Sequence, residues 1–201
     1  MGSGGRVVPL AERRYPVRKI ALHGKPGAGK STLAGMLAEE CERAGAPVRR
    51  LKLGAPLYDA QALVYALAGR PLVDNTVQDG PLLNALGAAM RRINPEALIA
   101  PFAARTQQAE GLSPQAVLIC DDMRAPDAEA VLALGFRLVK VTAPDDIRMQ
   151  RRAQRGDLAA GDDEHSTEAP VTAPEWRRIE NTGSLEDLRA QAAGIVSEVL
   201  R

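Results

Sequence analysis

"LHGKPGAGKST", Leu22 to Thr32, governs how the rest of the chain is read. Gly24, Gly29, Lys30 and Ser31 satisfy G-x-x-x-x-G-K-[ST], the pattern of a phosphate-binding loop. Glycines let successive backbone N–H groups curl around an anion without Cβ clashes, and a helix starting there adds its positive end. In this reading Gly27, Ala28 and Gly29 line the loop. Lys30 reaches the β- and γ-phosphates of ATP, Ser31 ligates Mg²⁺ and Thr32 meets the α-phosphate.

The flanks agree with the motif. "VRKIALHG" (Val17 to Gly24) is a short apolar run ending in glycine, as for a buried strand. From Lys30 onward Leu33, Met36, Leu37, Cys41 and Ala44 recur at helical spacing. Further strands are expected in "APVRRLKL" ending at Leu53, "QAVLIC" (Gln115 to Cys120), "FRLVKVTA" (Phe136 to Ala143) and "RRIEN" (Arg177 to Asn181). Helices fill the gaps. Asn94-Pro95 and Ala125-Pro126 each place proline at a first helical position, Pro144 precedes two acids, and Ser184 with Asp187 forms a capping box. Strands alternating with helices predict an α/β fold with a mostly parallel sheet covered on both faces.

Two regions interrupt the alternation. Residues 54–114 exceed a single crossover and read as an inserted helical subdomain, and residues 156–174 read as a lid. The chain is expected to be one domain, with core segments at about 17–53, 115–155 and 175–201, the insertion at about 54–114 and the lid at about 148–174.

Composition narrows the partners. A net charge of +1 excludes a generally basic nucleic-acid or membrane-surface binder. Two cysteines suit small core residues in a reducing compartment better than a disulfide framework. No apolar stretch is long enough to span a bilayer, and the first residues lack a secretory h-region, so a cytoplasmic protein is expected. With two Phe, three Tyr and one Trp, the core must be aliphatic.

The remaining candidates cluster around the phosphate loop. "CDDMR" closes the most apolar strand. Ligands of open parallel sheets bind beyond the carboxyl ends of strands, so Asp121 and Asp122 should face the loop, one toward Mg²⁺ or the acceptor, with Arg124 neutralising phosphate charge. Arg148, Arg151, Arg152 and Arg155 share one helix face, where forked guanidinium groups suit phosphate oxygens. Arg91 and Arg92 are candidates to anchor an acceptor's own phosphate. His165, Ser166 and Glu168 of "HSTE" are expected to act structurally or in the lid, with His23 the only other histidine. A guanine-reading N-K-x-D is absent from the sequence. A small chain with an insertion and a late lid reads as a kinase of a small molecule.

The ordered set "HGKPGAGKST", "GAPLYDAQA", "LLNALGAAMRRINPEA", "DDMR", "HSTE" and "IENTGSLEDL" resembles the P-loop nucleoside monophosphate kinases, and within them the bacteriophage-type deoxynucleoside monophosphate kinases. "HSTE" and "ENTGSL" are also similar to pieces of phosphomevalonate kinases and dephospho-coenzyme A kinases. The resemblance implies a sheet of order 2-3-1-4-5, a monophosphate-binding insertion and a lid closing over ATP. It implies Mg·ATP bound by Lys30, Ser31 and Thr32, with Asp122 as the aspartate of the Asp-x-Arg element and as a metal-site residue beside Ser31. It makes Arg151 and Arg155 lid arginines acting on the transferred group, and sets Asn181 and Thr182 beside the ATP base. Arg91, Arg92, Asp121, Tyr58 and Trp176 are the acceptor-side candidates. The expected partners are small-molecule nucleotides, with no nucleic acid and no membrane, and the oligomeric state is open, a homodimer included. The rival expectations are a kinase of another small acceptor and an ATP-dependent switch.

Overall fold

A computed structural model describes residues 18–74, 77–154, 158 and 169–201. Five strands form one parallel sheet: β1 (Lys19–His23), β2 (Val48–Leu51), β3 (Val117–Cys120), β4 (Arg137–Thr142) and β5 (Arg177–Glu180). Their spatial order is β2-β3-β1-β4-β5, as the resemblance implies. All five expected strands are present, each trimmed at its ends. β1 lies between β3 and β4, so the loop that follows it opens at the middle of the sheet's carboxyl edge.

Alternation along the strands builds two cores. Ile20, Leu22, Ile119, Val139, Val141 and Ile179 point toward α1 (Lys30–Arg43) and α7 (Leu185–Val199), where they meet Leu33, Leu37, Leu188 and Ile195. Ala21, Leu118, Cys120 and Leu138 point the other way, onto Leu98, Phe102 of α4 (Ile99–Leu112) and Val131 of α5 (Ala128–Ala133). The Phe102 and Phe136 rings meet at 5.4 Å between centroids. The capping box at Ser184 and Asp187 is present, and α6 (Asp145–Gln154) starts behind Pro144 as expected.

Two boundaries differ from the sequence reading. Asn94-Pro95 does not start a helix: Asn94 ends α3 (Gly80–Ile93), its side chain accepts the Glu96 N–H at 3.0 Å, and α4 begins at Ile99. Residues 54–114 are also not wholly an insertion. α4 lies on the sheet as a crossover helix, with Arg105 donating to the Lys52 carbonyl at 2.8 Å. Only α2 (Ala55–Leu67) and α3 stand off as a helical hairpin. Buried Gln61 pins that hairpin by donating to the Val77 carbonyl at 2.8 Å and accepting the Asp79 N–H at 2.9 Å. Most of the expected lid, with Arg155, His165, Ser166 and Glu168, lies outside the described residues.

Candidate active site

The phosphate loop joins β1 to α1, and side chains from three places satisfy its carbonyls. Lys30 Nζ donates to Gly24 O at 2.6 Å and to Lys25 O at 3.2 Å. Arg148, buried at the start of α6, donates to Pro26 O at 2.9 Å and also holds Asp145. Asn181, buried just past β5, donates to Ala28 O at 2.9 Å. With its carbonyls held, the loop keeps a fixed shape before any ligand enters. Gly29 caps α1 with a positive φ and no side-chain hydrogen bond, whereas Asp79 caps α3 and Ser184 caps α7. The first-turn N–H groups of α1 have no intrahelical acceptors, so they and the helix dipole suit an anion. Ser31 and Thr32 are exposed there.

Arg148 therefore braces the loop. Arg151, one turn on, donates to the Asn181 carbonyl at 3.3 Å. It thus lies beside the loop. Thr182 is exposed next to it.

The two aspartates after β3 have different partners. Asp121 is buried, and Ser31 is among the groups that act on its carboxyl. Its Oδ2 accepts from Arg50 at 3.0 Å, and Lys52 Nζ lies 2.8 Å from Oδ1, although no hydrogen bond of good geometry reaches that atom. Burial raises the Asp121 carboxyl, but Lys52, Arg50 and Ser31 outweigh it and hold the carboxyl below its ordinary value. Lys52 is held above its own ordinary value: burial lowers it, and Asp121 more than compensates. A hydroxyl, an ionised carboxylate and an oxygen with unspent acceptor capacity fit the shell of a hydrated Mg²⁺ brought by ATP. Among the described residues no group of three His, Cys, Asp or Glu side chains forms a metal site of its own.

Asp122 instead clamps the chain where β2 gives way to α2. Its Oδ1 accepts the Leu53 N–H at 2.8 Å and its Oδ2 the Gly54 N–H at 3.0 Å. Strand alternation explains the difference: Asp121 continues the Ile119 side toward α1, and Asp122 continues the Cys120 side. Asp122→Ala should cost about 2–4 kcal/mol in urea unfolding, since two backbone donors lose a charged acceptor. Asp121→Asn should instead raise the Mg²⁺ concentration needed for half-maximal ATP turnover. Equal effects of the two substitutions on both readouts would contradict this division.

The α2–α3 hairpin contributes Tyr58 and Arg91. Arg91 pairs with Asp127 at 2.8 Å, and Gly87, one turn earlier in α3, leaves room for its guanidinium. Burial raises the Asp127 carboxyl above its ordinary value, against the pull of Arg91. Arg124 acts electrostatically on both Asp127 and Tyr58, so Arg91, Arg124 and Tyr58 share one neighbourhood with Asp122. Tyr58 Oη accepts from Gln78 at 3.0 Å, and burial raises its hydroxyl above the ordinary value. Leu158, just past α6, donates its N–H to the Gln78 carbonyl at 2.9 Å, so chain beyond α6 meets the hairpin.

Arg92 is exposed on α3. Trp176 is not brought to the site. Its N–H donates to Leu138 O at the amino end of β4, and its ring packs against Arg137 and Arg177 at the sheet's opposite edge. Sequence reading missed Lys52, Arg50, Asp127 and Gln78. For Lys52 and Arg50 a signal existed, since both end a strand that points at the cleft.

His23, the last residue of β1, is buried with Nε2 unpartnered. Burial lowers its pKa to about 4, with Lys140, Lys30 and Arg178 adding to the effect and Glu175 opposing it. Between pH 6.5 and about 4 the unfolded chain takes up a proton that the folded chain refuses. Stability is therefore lost as pH falls through that window, by up to about 3 kcal/mol. His23→Gln should flatten the pH dependence of urea unfolding there, and an unchanged slope would contradict the assignment.

No family model matches the chain, and no curated protein matches it. Among solved structures it is similar to an unliganded sugar kinase from Janibacter sp., with TM-score 0.54, 18% identity and coverage of 92% of this chain and 97% of that one. It is also similar to a gluconokinase from Sinorhizobium meliloti, with TM-score 0.49, 18% identity and coverage of 94% and 95%. A third similarity is to the Mycobacterium tuberculosis APS kinase in complex with AMPPNP and APS, with TM-score 0.47, 16% identity and coverage of 91% and 98%. The chain has the P-loop kinase fold: a five-stranded parallel sheet of order 2-3-1-4-5 flanked by helices. Among the described residues no helix is long and apolar enough to cross a membrane.

Proposed function

We propose that this protein transfers the γ-phosphoryl group of Mg·ATP to an acceptor that already carries a phosphate, with (deoxy)nucleoside monophosphates as the first candidates. The observation that carries the reading is the charge cluster around Asp127, which follows the carboxyl end of β3 and so lies at the edge of the sheet that carries the phosphate loop. It offers Arg91, paired with Asp127, and Arg124, which acts electrostatically on Asp127 and Tyr58, while all three nearby aspartates are engaged: Asp127 with Arg91, Asp121 with two cations and Asp122 with two backbone amides. An acceptor hydroxyl gains from a carboxylate free to take its proton. An acceptor phosphate oxygen is already anionic and needs instead cations to hold it, which the arginines supply.

Lys30, Ser31 and the α1 amides would bind the ATP phosphates, and Mg²⁺ would enter with ATP, between Ser31 and Asp121. Arg151 and Asn181, beside the loop, would flank the nucleotide. Arg91 would exchange Asp127 for the acceptor's phosphate. Catalysis is then positioning and charge neutralisation.

ADP release from Mg·ATP measured with the four dNMPs, the ribonucleotides, phosphomevalonate and dephospho-coenzyme A tests the reading. Acceleration by one or more nucleoside monophosphates is expected, and Arg91→Ala should raise the acceptor KM about tenfold or more with a smaller change in kcat. Turnover with another phosphorylated acceptor alone would keep the chemistry and replace the substrate. Silence with every acceptor would favour an ATP-dependent switch.

A further inference from the structure

The end of β2 presents two cations to a single carboxylate. Alternation along the strand sends Val48 to the α1 side of the sheet, and Arg50 and Lys52 follow on that side. The register Leu51↔Cys120 brings Lys52, the residue after β2, alongside Asp121. Asp121 faces both cations: Arg50 donates to its Oδ2 at 3.0 Å, and Lys52 Nζ lies 2.8 Å from its Oδ1. Arg50, with its hydrogen bond, already matches the charge of that carboxylate. Lys52 is the surplus.

The surplus cation is reachable, since its side chain is 39% exposed and that of Asp121 only 1%. Among the described residues Asp121 is its one ion-pair partner. An ammonium has three N–H donors, so donors are left over for a ligand. Lys52 also belongs to two neighbourhoods. Through Asp121 it shares a partner with Ser31, in the first turn of α1 behind the phosphate loop. On the hairpin side Asp122 and Tyr58 act on it, and with Arg124 it acts on Tyr58. Burial works against its charge, and Asp121, Asp122 and Tyr58 outweigh burial, so the group is an ammonium. A donor phosphate and an acceptor phosphate brought together repel, and a cation belonging to both neighbourhoods offsets that repulsion.

We propose that Lys52 is a catalytic residue that donates to the γ-phosphoryl group on the acceptor's side, as a second lysine beside Lys30. The proposal rests on the phosphotransfer reading above. In the step, the bond from the γ-phosphorus to the oxygen it shares with the β-phosphate breaks as a bond to an acceptor oxygen forms. ADP leaves with the electron pair, and Lys52 keeps all its protons. A compact ammonium on a flexible stem follows the phosphorus as it moves, whereas the planar fork of Arg50 is oriented by its carboxylate.

Calorimetric titration of the full chain with Mg·AMPPNP and with Mg·ADP tests the assignment without any acceptor. Lys52→Met keeps the stem and removes the charge. It should weaken Mg·AMPPNP about tenfold and leave Mg·ADP within about twofold, because only the first carries a γ-phosphate. Lys52→Arg should recover part of the loss, and retained ADP binding shows that each variant is folded. With an acceptor identified by the ADP-release panel, Lys52→Met should also lower kcat about a hundredfold. The same loss should persist in an Asp121→Asn background at saturating Mg²⁺, which a lysine acting only through Asp121 would not give. Unchanged affinity for both nucleotides would overturn the proposal. Equal weakening of both would overturn it too, and would make Lys52 a support for Asp121. A panel without any active acceptor would sink the transfer reading, while the contrast between AMPPNP and ADP would still decide whether Lys52 meets the γ-phosphate.

Discussion

Lys30→Ala is expected to lower kcat for phosphoryl transfer by about a thousandfold or more, equivalent to about 4 kcal/mol of transition-state stabilisation. The reason is positional. Lys30 leaves the first turn of α1 and folds back over the phosphate loop, with Nζ 2.6 Å from Gly24 O and 3.2 Å from Lys25 O. It therefore lies at the mouth of the anion site, where charge develops on the moving phosphoryl group. Both of its loop acceptors are backbone carbonyls, so their loss should shift Tm by a few degrees at most. Lys30→Arg should not rescue the activity, because a planar guanidinium cannot follow the same path around the loop. Stopped-flow or coupled ADP assays with saturating acceptor give kcat directly. A loss below about tenfold would remove Lys30 from the reaction.

Gly24→Ala should have the largest effect on the fold. Gly24 leaves β1 with φ 136°, a conformation that L side chains rarely adopt. A Cβ there would also lie inside the van der Waals envelope of the Val141 carbonyl oxygen, and Val141 is fully buried in β4. β4 cannot give way, since it is hydrogen-bonded to strands on both sides. The loop must move instead, away from the carbonyl contacts made by Lys30, Arg148 and Asn181. The expected cost is about 3 kcal/mol or more, or about 6–12 °C in Tm, together with loss of ATP binding. Gly35→Ala on the open side of α1, where an added Cβ meets nothing, is the control and should leave Tm within a few degrees. Similar Tm values for the two variants would contradict the packing described around the loop.

What the sequence disclosed follows from how local each signal is. Strand runs and the P-loop are short patterns with one physical reading, so all five strands and the start of α1 could be placed. Asp121 and Asp122 are legible as a pair past the end of β3, and alternation from Ile119 and Cys120 puts Asp121 on the α1 side. Arg148, Arg151 and Arg152 share a face of α6 by spacing. That Arg148 is spent on Pro26 depends on where the start of α6 meets the loop, a contact between residues 122 positions apart that periodicity cannot express. Trp176 was chosen because aromatics are scarce, yet it caps the far edge of the sheet. α4 merged with the insertion because its apolar residues carry no mark of which sheet face they meet.

The γ-phosphoryl group is expected to land on the acceptor's phosphate. ³¹P NMR of a reaction containing Mg·ATP, a deoxynucleoside monophosphate and the enzyme tests it most directly, with the matching unphosphorylated deoxynucleoside as a parallel sample. The account predicts that the monophosphate resonance gives way to the paired α and β signals of a diphosphate, while the deoxynucleoside sample stays unreacted. A new monophosphate signal from the deoxynucleoside, with the nucleotide untouched, would show a hydroxyl acceptor and contradict the account.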